Sequence, residues 1–443
     1  MAQDWLGMTA GELGRDIAAG TIDPVELTDA YLAAAESHDA AAQIYARLTP
    51  DRARAEALAA RERAKGGNRL SPLDGVPISW TDLYDTAGVL TEAGSKLLEG
   101  RVPDKDATVL RNATEAGLVC LGKTHMTELA FSGLGLNPSA GSPPNINDPA
   151  AASGGSSSGA AASVAHGLAA CGIGSDTAGS VRLPAAWNDL VGLKTTPGRL
   201  PLAGVVPLCS RFDTVGPLAR SVEDAALMLA ALEGGKAADL TGATLDGARF
   251  AVLETVAMEG LEDAPEAGFA NAVERLREAG AVVERRAVPE VAEAVDLALI
   301  LFATEAYGTW KSVIEAHPDK MFSNILERFR GGAAFAGADY VAAWQRLETL
   351  RAGYHAATAG YDAVLLPTCQ IMPPKQARLF DDPAYFAERN LATLRNTRIG
   401  SLMGLPGLTL PTGVPSTGIL FQGPPGSEER LLRIGAAAEV ALS

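Results

Sequence analysis

The chain has little cysteine, an excess of acid over base, and no long apolar run. Its four cysteines, Cys120, Cys171, Cys209 and Cys369, are scattered over 443 residues and form no CxxC pair. A disulfide framework or a zinc knuckle needs tighter clustering, so the spacing predicts four reduced thiols in or near a core and a cytoplasmic chain without a metal site. No eighteen consecutive apolar residues occur, and Met1 is not followed by a basic, apolar, small-residue leader. Neither a membrane span nor a cleaved signal is expected. With 37 Lys and Arg against 53 Asp and Glu, the formal net charge is −16. A surface that neutralises phosphates is not expected from that balance, which disfavours nucleic-acid binding.

What is present is ordinary globular material, with 47% apolar and 20% charged residues, enough for a large core. The N-terminal stretch reads as helices. Thr9 with Glu12 has capping-box spacing, and Asp23-Pro24 with Glu26 sets a cap, a first-turn proline and an acid in order. Residues 51–66 (DRARAEALAARERAKG) read as an alanine-rich helix with a solvated, charge-laced face. From Leu73 the texture changes, and short runs such as GVPISW, AGLVCLGK and LAACGIGSD alternate with Gly/Ser/Pro-rich loops. Residues 249–288 read strand, helix, strand; a further strand is expected over 362–368, and 291–358 read as mainly helical. The expected architecture is one α/β domain over 1–443. It comprises N-terminal helices to 66, a core with the chemically suggestive loops over 67–235, and the remaining sheet with a helical excursion over 236–443.

Two loops stand out, SGGSSSGAA (153–161) and GSDTAGSVRLPA (174–185). Small residues let backbone approach a ligand closely, and successive N–H groups can bind an anion or oxyanion. The alternative for the first loop is a plain Ser/Gly turn. Neither loop has the Walker spacing or its lysine, so phosphate binding is a weak reading. Gly155-Ser156-Ser157-Ser158-Gly159 fits GxSxG, with Ser157 central. That elbow requires a strand running into it and a histidine later in the chain. Here NDPAAAS precedes it and reads as loop, while His166, His317 and His355 lie in or beside helical context.

The residues carry a wider resemblance. The stretch 153–208 resembles the signature region of the amidase signature family. PLDGVPISWTDLYDTAGVLTEAGS resembles its first catalytic segment, DATVLRNATEAGLVCLGKTHMTELA the segment after it, and FDTVGPLARSVEDAALML and LPGLTLPTGV its later blocks. The resemblance covers essentially the whole chain. It implies an α/β amidase signature fold, a mixed β-sheet core flanked by helices on both sides, and a Ser–cis-Ser–Lys triad. The nucleophile falls on Ser180 and the relay serine on Ser156, whose bond to Gly155 is the family's cis peptide and whose hydroxyl is expected within reach of Ser180. The oxyanion donors fall on the backbone of Thr177, Ala178, Gly179 and Ser180, with Asp176, Arg182, Ser157 and Gly155 supporting. A serine hydroxyl attacks only when a neighbour removes its proton, and preorganised N–H donors are worth about 3–4 kcal/mol each in comparable enzymes. No cofactor and no metal are implied, and homodimers are a family habit.

One position breaks the pattern. The family's lysine base falls on Thr81, in Ile78-Ser79-Trp80-Thr81-Asp82, and a threonine hydroxyl is no base near neutral pH. Lys123 and Lys194 resemble lysines that relatives carry in addition, and read as structural. Thr81 is consistent with a substitution made to disable the enzyme, with a natural amide binder, or with slow chemistry on another base. The resemblance implies hydrolysis of a small carboxamide, ester or hydrazide through an acyl-Ser180 intermediate, impaired or lost here. The alternatives are the glutaminase component of a tRNA-dependent amidotransferase and a non-catalytic amide-binding protein. Specificity is expected from segments around 125–135, 300–350 and 369–380. Phe131, Trp310, Phe322 and Met372 could line the site there, with core packing as the plainer role.

Overall fold

The short apolar runs form strands, and the strands join one sheet. The computed structural model describes residues 5–254 and 256–443. Within these the strands are β1 (Tyr45–Leu48), β2 (Pro77–Thr81), β3 (Val119–Thr124), β4 (Cys171–Ser175), β5 (Val191–Lys194), β6 (Val215–Ala219), β7 (Arg249–Leu253), β8 (Val282–Arg286), β9 (Ala363–Pro367), β10 (Gly407–Pro411) and β11 (Gly418–Gln422). Their order is β1-β3-β2-β4-β6-β5-β10-β11-β9-β7-β8. The blocks β3-β2-β4 and β9-β7-β8 are parallel, and antiparallel pairs join them. Parallel strands covered on both faces need no polar alternation, and β2 (PISWT) and β4 (CGIGS) are buried at every residue. At the open edge β8 reads VVERR and is largely exposed; charge there opposes edge-to-edge pairing.

Helices cover both faces. Neighbouring residues of a strand point to opposite sides. On β10, Gly407 lies against Arg182 of the Arg182–Trp187 helix, while Leu408 lies against Gly435 of the Glu428–Leu442 helix. The capping box at Thr9 and the Asp23 cap with Pro24 form as read, and 298–316 and 337–358 are helical. No helix among the described residues is long and apolar enough to cross a membrane.

Two readings change. The N-terminal segment is not all helix: β1 lies within it and pairs antiparallel with β3. Four residues of YARL between two helices carry too little pattern to announce a strand; its partner, far along the chain, makes it one. The Pro50–Lys65 helix is also less solvated than its charges suggest. Ala53, Ala57 and Ala60 are buried, Glu56 accepts the Cys120 N–H at 2.7 Å, and Arg63 pairs with the buried Asp74 at 2.6 Å. Its charges pin the helix to β3 and to the turn before β2.

Candidate active site

The loops singled out in the sequence meet where β2 and β4 end, which is where ligands bind in open α/β sheets. β2 and β4 pair in parallel, with Ser79 opposite Gly172 and Trp80 opposite Ile173, so Thr81 is level with Gly174. The Ser158–Ala165 helix crosses above them. A Cβ built on Gly172 would meet Ala160, and one on Gly174 would meet Ser157 at 2.5 Å. The helix therefore runs against the strands, and its N-terminal end lies over the ends of β2 and β4.

The second loop is clamped by a buried ion pair. Asp176 Oδ1 accepts the Gly179 N–H at 2.7 Å and Arg182 Nη2 at 2.8 Å; Oδ2 accepts Arg182 Nε at 2.9 Å and the N–H groups of Val181 and Arg182. Both side chains are fully buried. Burial opposes the Asp176 charge, but Arg182 and these hydrogen bonds outweigh it and hold the carboxyl below the usual aspartate range. Arg182 continues to Thr397 O at 2.7 Å and Ser401 Oγ at 3.1 Å, both on the Pro383–Leu402 helix. Thr177 Oγ1 donates to the buried Asp213 at 2.5 Å.

This clamp leaves Ser180 free. Its hydroxyl makes no hydrogen bond to any described residue, and it lines a pocket of about 400 Å³. The N–H groups of Thr177, Ala178 and Ser180 have no acceptor among the described residues either. Gly179 is the exception to the sequence reading: its N–H is committed to Asp176, so three of the four expected oxyanion donors are available. The role of Gly179 is steric. It has φ +143°, and a Cβ there would lie 2.1 Å from Thr397 Oγ1, the hydroxyl that holds Ala178 O at 2.7 Å. Gly179→Ala is expected to destabilise the fold by about 1–3 kcal/mol and to displace the loop. Thermal unfolding checks the first effect, and loss of fluorophosphonate labelling at Ser180 the second.

The first loop holds the serines in different states. The Gly155–Ser156 bond is cis. Ser157 is not a free nucleophile: its Oγ accepts the Ser175 N–H at 3.2 Å and donates to Ser175 O at 3.3 Å, and its N–H donates to Ser180 O at 3.3 Å. Ser157 ties the two loops together, and loop, not strand, precedes it, so the elbow reading has no support. Ser156 Oγ is buried and makes no hydrogen bond; the expected bond to Ser180 is not formed. Thr127 Oγ1 and Ser158 Oγ are likewise buried and unpartnered. Thr127 and Ser158 both pack around this loop, a Cβ on Gly155 falling 2.8 Å from Thr127 Oγ1 and one on Gly135 falling 3.0 Å from Ser158 Cβ.

Thr81, fully buried at the end of β2, donates to Ile173 O at 2.8 Å. It shares a sheet face with Ser79, whose hydroxyl is 2.7 Å from that of Ser163 in the overlying helix. Thr81 therefore faces the side on which the orphan hydroxyls lie. Lys123 is paired with the register of Trp80 and points to the other face. There its Nζ donates to Tyr84 O at 2.6 Å and Thr91 Oγ1 at 3.0 Å, and lies 3.3 Å from Asp82. Lys194 is spent on Thr195 O and Leu405 O, both at 2.9 Å. Burial first, then the charge of Arg182, pushes it down to about 7. Neither lysine reaches Ser156.

The pocket wall corrects the specificity segments. Phe131 lines it; Trp310, Phe322 and Met372 do not. Phe302, Ala303, Glu327, Arg328 and Gly331 fall in the expected 300–350, Val295, Asp296, Ala298 and Leu299 lie just before it, and in place of 369–380 the wall has Leu391, Leu394 and Arg398 of the Pro383–Leu402 helix. Their spacing of three and four along one helix face was the available signal.

A mixed sheet with a clamped, unbonded serine at its strand ends is the frame of a serine hydrolase, and its relatives give its type. The chain belongs to the Amidase family, whose model matches residues 26–432, and it is an amidohydrolase-class protein acting on C–N bonds. It is similar to the 2-amino-5-chloromuconic acid deaminase of Comamonas testosteroni, 35% identical over 90% of this chain and 91% of that one. It is also similar to one component of the glutamyl-tRNA(Gln) amidotransferase of Chloroflexus aurantiacus, 32% identical over 95% of this chain and 94% of that one. A crystal structure of an amidase superposes with a TM-score of 0.88 at 30% identity, covering 98% of this chain and all of the other.

Proposed function

We propose that the chain is built to hydrolyse the C–N bond of a small carboxamide through an acyl-Ser180 intermediate, and that Thr81 holds this chemistry back. Ser180 Oγ attacks the carbonyl carbon, its proton passing through Ser156 towards a base. The N–H groups of Thr177, Ala178 and Ser180 take the developing oxyanion. The C–N bond breaks as the leaving amine collects the proton, and water then hydrolyses the ester. The observation that carries this reading is the unbonded Ser180 hydroxyl, flanked by unpaired N–H groups on a loop held by Asp176 and Arg182. Thr81 supplies no base, and Lys123 and Lys194 are committed elsewhere, which supports impairment rather than a relocated lysine.

In the Thr81→Lys protein, an activated ester should leave the enzyme heavier by one acyl group per chain on intact-mass analysis, with the mass on the peptide containing Ser180. Turnover with no such adduct and no dependence on Ser180 rules the reading out. The likeness to an amidotransferase component favours one second reading, a glutaminase working with a partner; a partner co-purifying stoichiometrically would select it.

A further inference from the structure

The pocket beside Ser180 is apolar over much of its wall, through Phe131, Leu208, Phe302 and Leu394, yet it contains two guanidiniums. Arg328 comes from the Ser323–Arg330 helix and Arg398 from the Pro383–Leu402 helix. Both are half-buried. Arg328 donates through Nε to Phe131 O at 2.8 Å and lies 4.6 Å from the centre of the Phe131 ring. The Arg398 side chain makes no hydrogen bond to any described residue, and neither guanidinium forms an ion pair among them. The carboxylates on the same wall, Asp296 and Glu327, are exposed, and Glu327 is 3.7 Å from Arg330 instead.

Other half-buried guanidiniums are spent: Arg220 donates to five backbone carbonyls and Arg351 to Leu402 O. Arg182 is matched to Asp176, and Arg199 to Glu233, Glu428 and Glu429. Two like charges in an apolar wall oppose each other. Burial, then the charge of Arg398, pushes Arg328 down to about 9; burial, then Arg395, pushes Arg398 down to about 10. Both stay protonated at neutral pH. A planar anion relieves that repulsion, and the guanidinium fork matches a carboxylate.

We propose that the substrate is an amide that also carries a carboxylate, such as the monoamide of a short dicarboxylic acid, with its carboxylate held by Arg328 and Arg398 while the amide carbon lies at Ser180. The identity of the reacting end rests on the reading of Ser180 as nucleophile; the carboxylate site does not. The Pro383–Leu402 helix then has two functions, bracing the Ser180 loop through Thr397 and Ser401 and presenting the anion-binding Arg398.

Calorimetry on the unaltered chain compares succinamate with butanamide, which has the same carbon chain without the carboxylate. Succinamate should bind at least about tenfold more tightly, and Arg398→Met should remove that preference while Arg398→Lys keeps part of it. Thermal unfolding verifies that each variant is folded, and Arg328→Met provides the same test from the other helix. Equal binding of the two amides, or a preference untouched by both arginine variants, overturns the proposal. In the Thr81→Lys background, kcat/KM for succinamate over butanamide should fall at least about tenfold with Arg398→Met. Hydrolysis of butanamide in preference to succinamate would refute the carboxylate site and leave the Ser180 reading intact. Arginine-dependent binding of succinamate with no Ser180-dependent hydrolysis of any amide would do the reverse.

Discussion

Thr81→Lys is expected to raise amide turnover by at least about a hundredfold, the lower end of what a positioned general base contributes. Thr81 is level with Gly174 and faces the N-terminal end of the helix that follows Ser157. A lysine there lies on the sheet face that this helix covers, and the loop leading into the helix and its neighbours carry the buried, unpartnered hydroxyls of Ser156, Thr127 and Ser158. An ammonium has three donors for such oxygens. Burial disfavours its charged form, so a neutral amine becomes available to draw the Ser180 proton through Ser156. Loss of one member of a coupled relay can cost more than the single-base figure, which makes about a hundredfold the floor of the expected gain. Thr81→Lys combined with Ser180→Ala should return to the rate of the parent. A folded Thr81→Lys chain as slow as the parent across amides, esters and hydrazides would make this protein an amide binder on an amidase scaffold.

Asp176→Ala is expected to destabilise the fold by about 3–5 kcal/mol, because it leaves the Arg182 guanidinium fully buried and uncompensated. In a chain of this length the midpoint of thermal unfolding should fall by about 3–5 °C. The same change frees the Gly179 and Val181 N–H groups and lets the Ser180 loop lose its shape, so Ser180 reactivity should fall with stability. The folded-state pKa of Asp176 is lowered. Its stabilisation is therefore complete above the unfolded-state value of about 3.9 and is lost only as pH falls through the lower folded-state value. The difference between parent and Asp176→Ala should thus be constant from neutral to mildly acidic pH and shrink only in strong acid. A difference that fades near pH 6 would contradict the ion pair as described.

The parts of the site that the sequence made legible are those that local chemistry dictates. The loops 153–161 and 174–185 could be recognised because close backbone approach needs small residues. Asp176 and Arg182, six residues apart, are neighbours along the chain and find each other within one turn of loop and helix. Gly179 was expected as an oxyanion donor, but its N–H goes to Asp176, and its contact with Thr397 depends on a helix more than two hundred residues away. Ser156 was expected within reach of Ser180, and the structure leaves its hydroxyl unpartnered, as it does those of Thr127 and Ser158. Arg328 and Arg398 had no signal of their own, since LERFR and RNTRIG read as helix surface until the fold brings them to one wall. The edge strand β1 was hidden for the same reason, its pairing with β3 being a property of the assembled sheet.

The central claim is that Ser180, and neither Ser156 nor Ser157, is the nucleophile. A serine-directed fluorophosphonate added to the Thr81→Lys protein, followed by peptide mapping by mass spectrometry, tests it most directly. The account predicts a single adduct on Ser180, abolished by Ser180→Ala and much slower to form in the Thr81 parent. An adduct on Ser157, or labelling that persists in the Ser180→Ala protein, would contradict it.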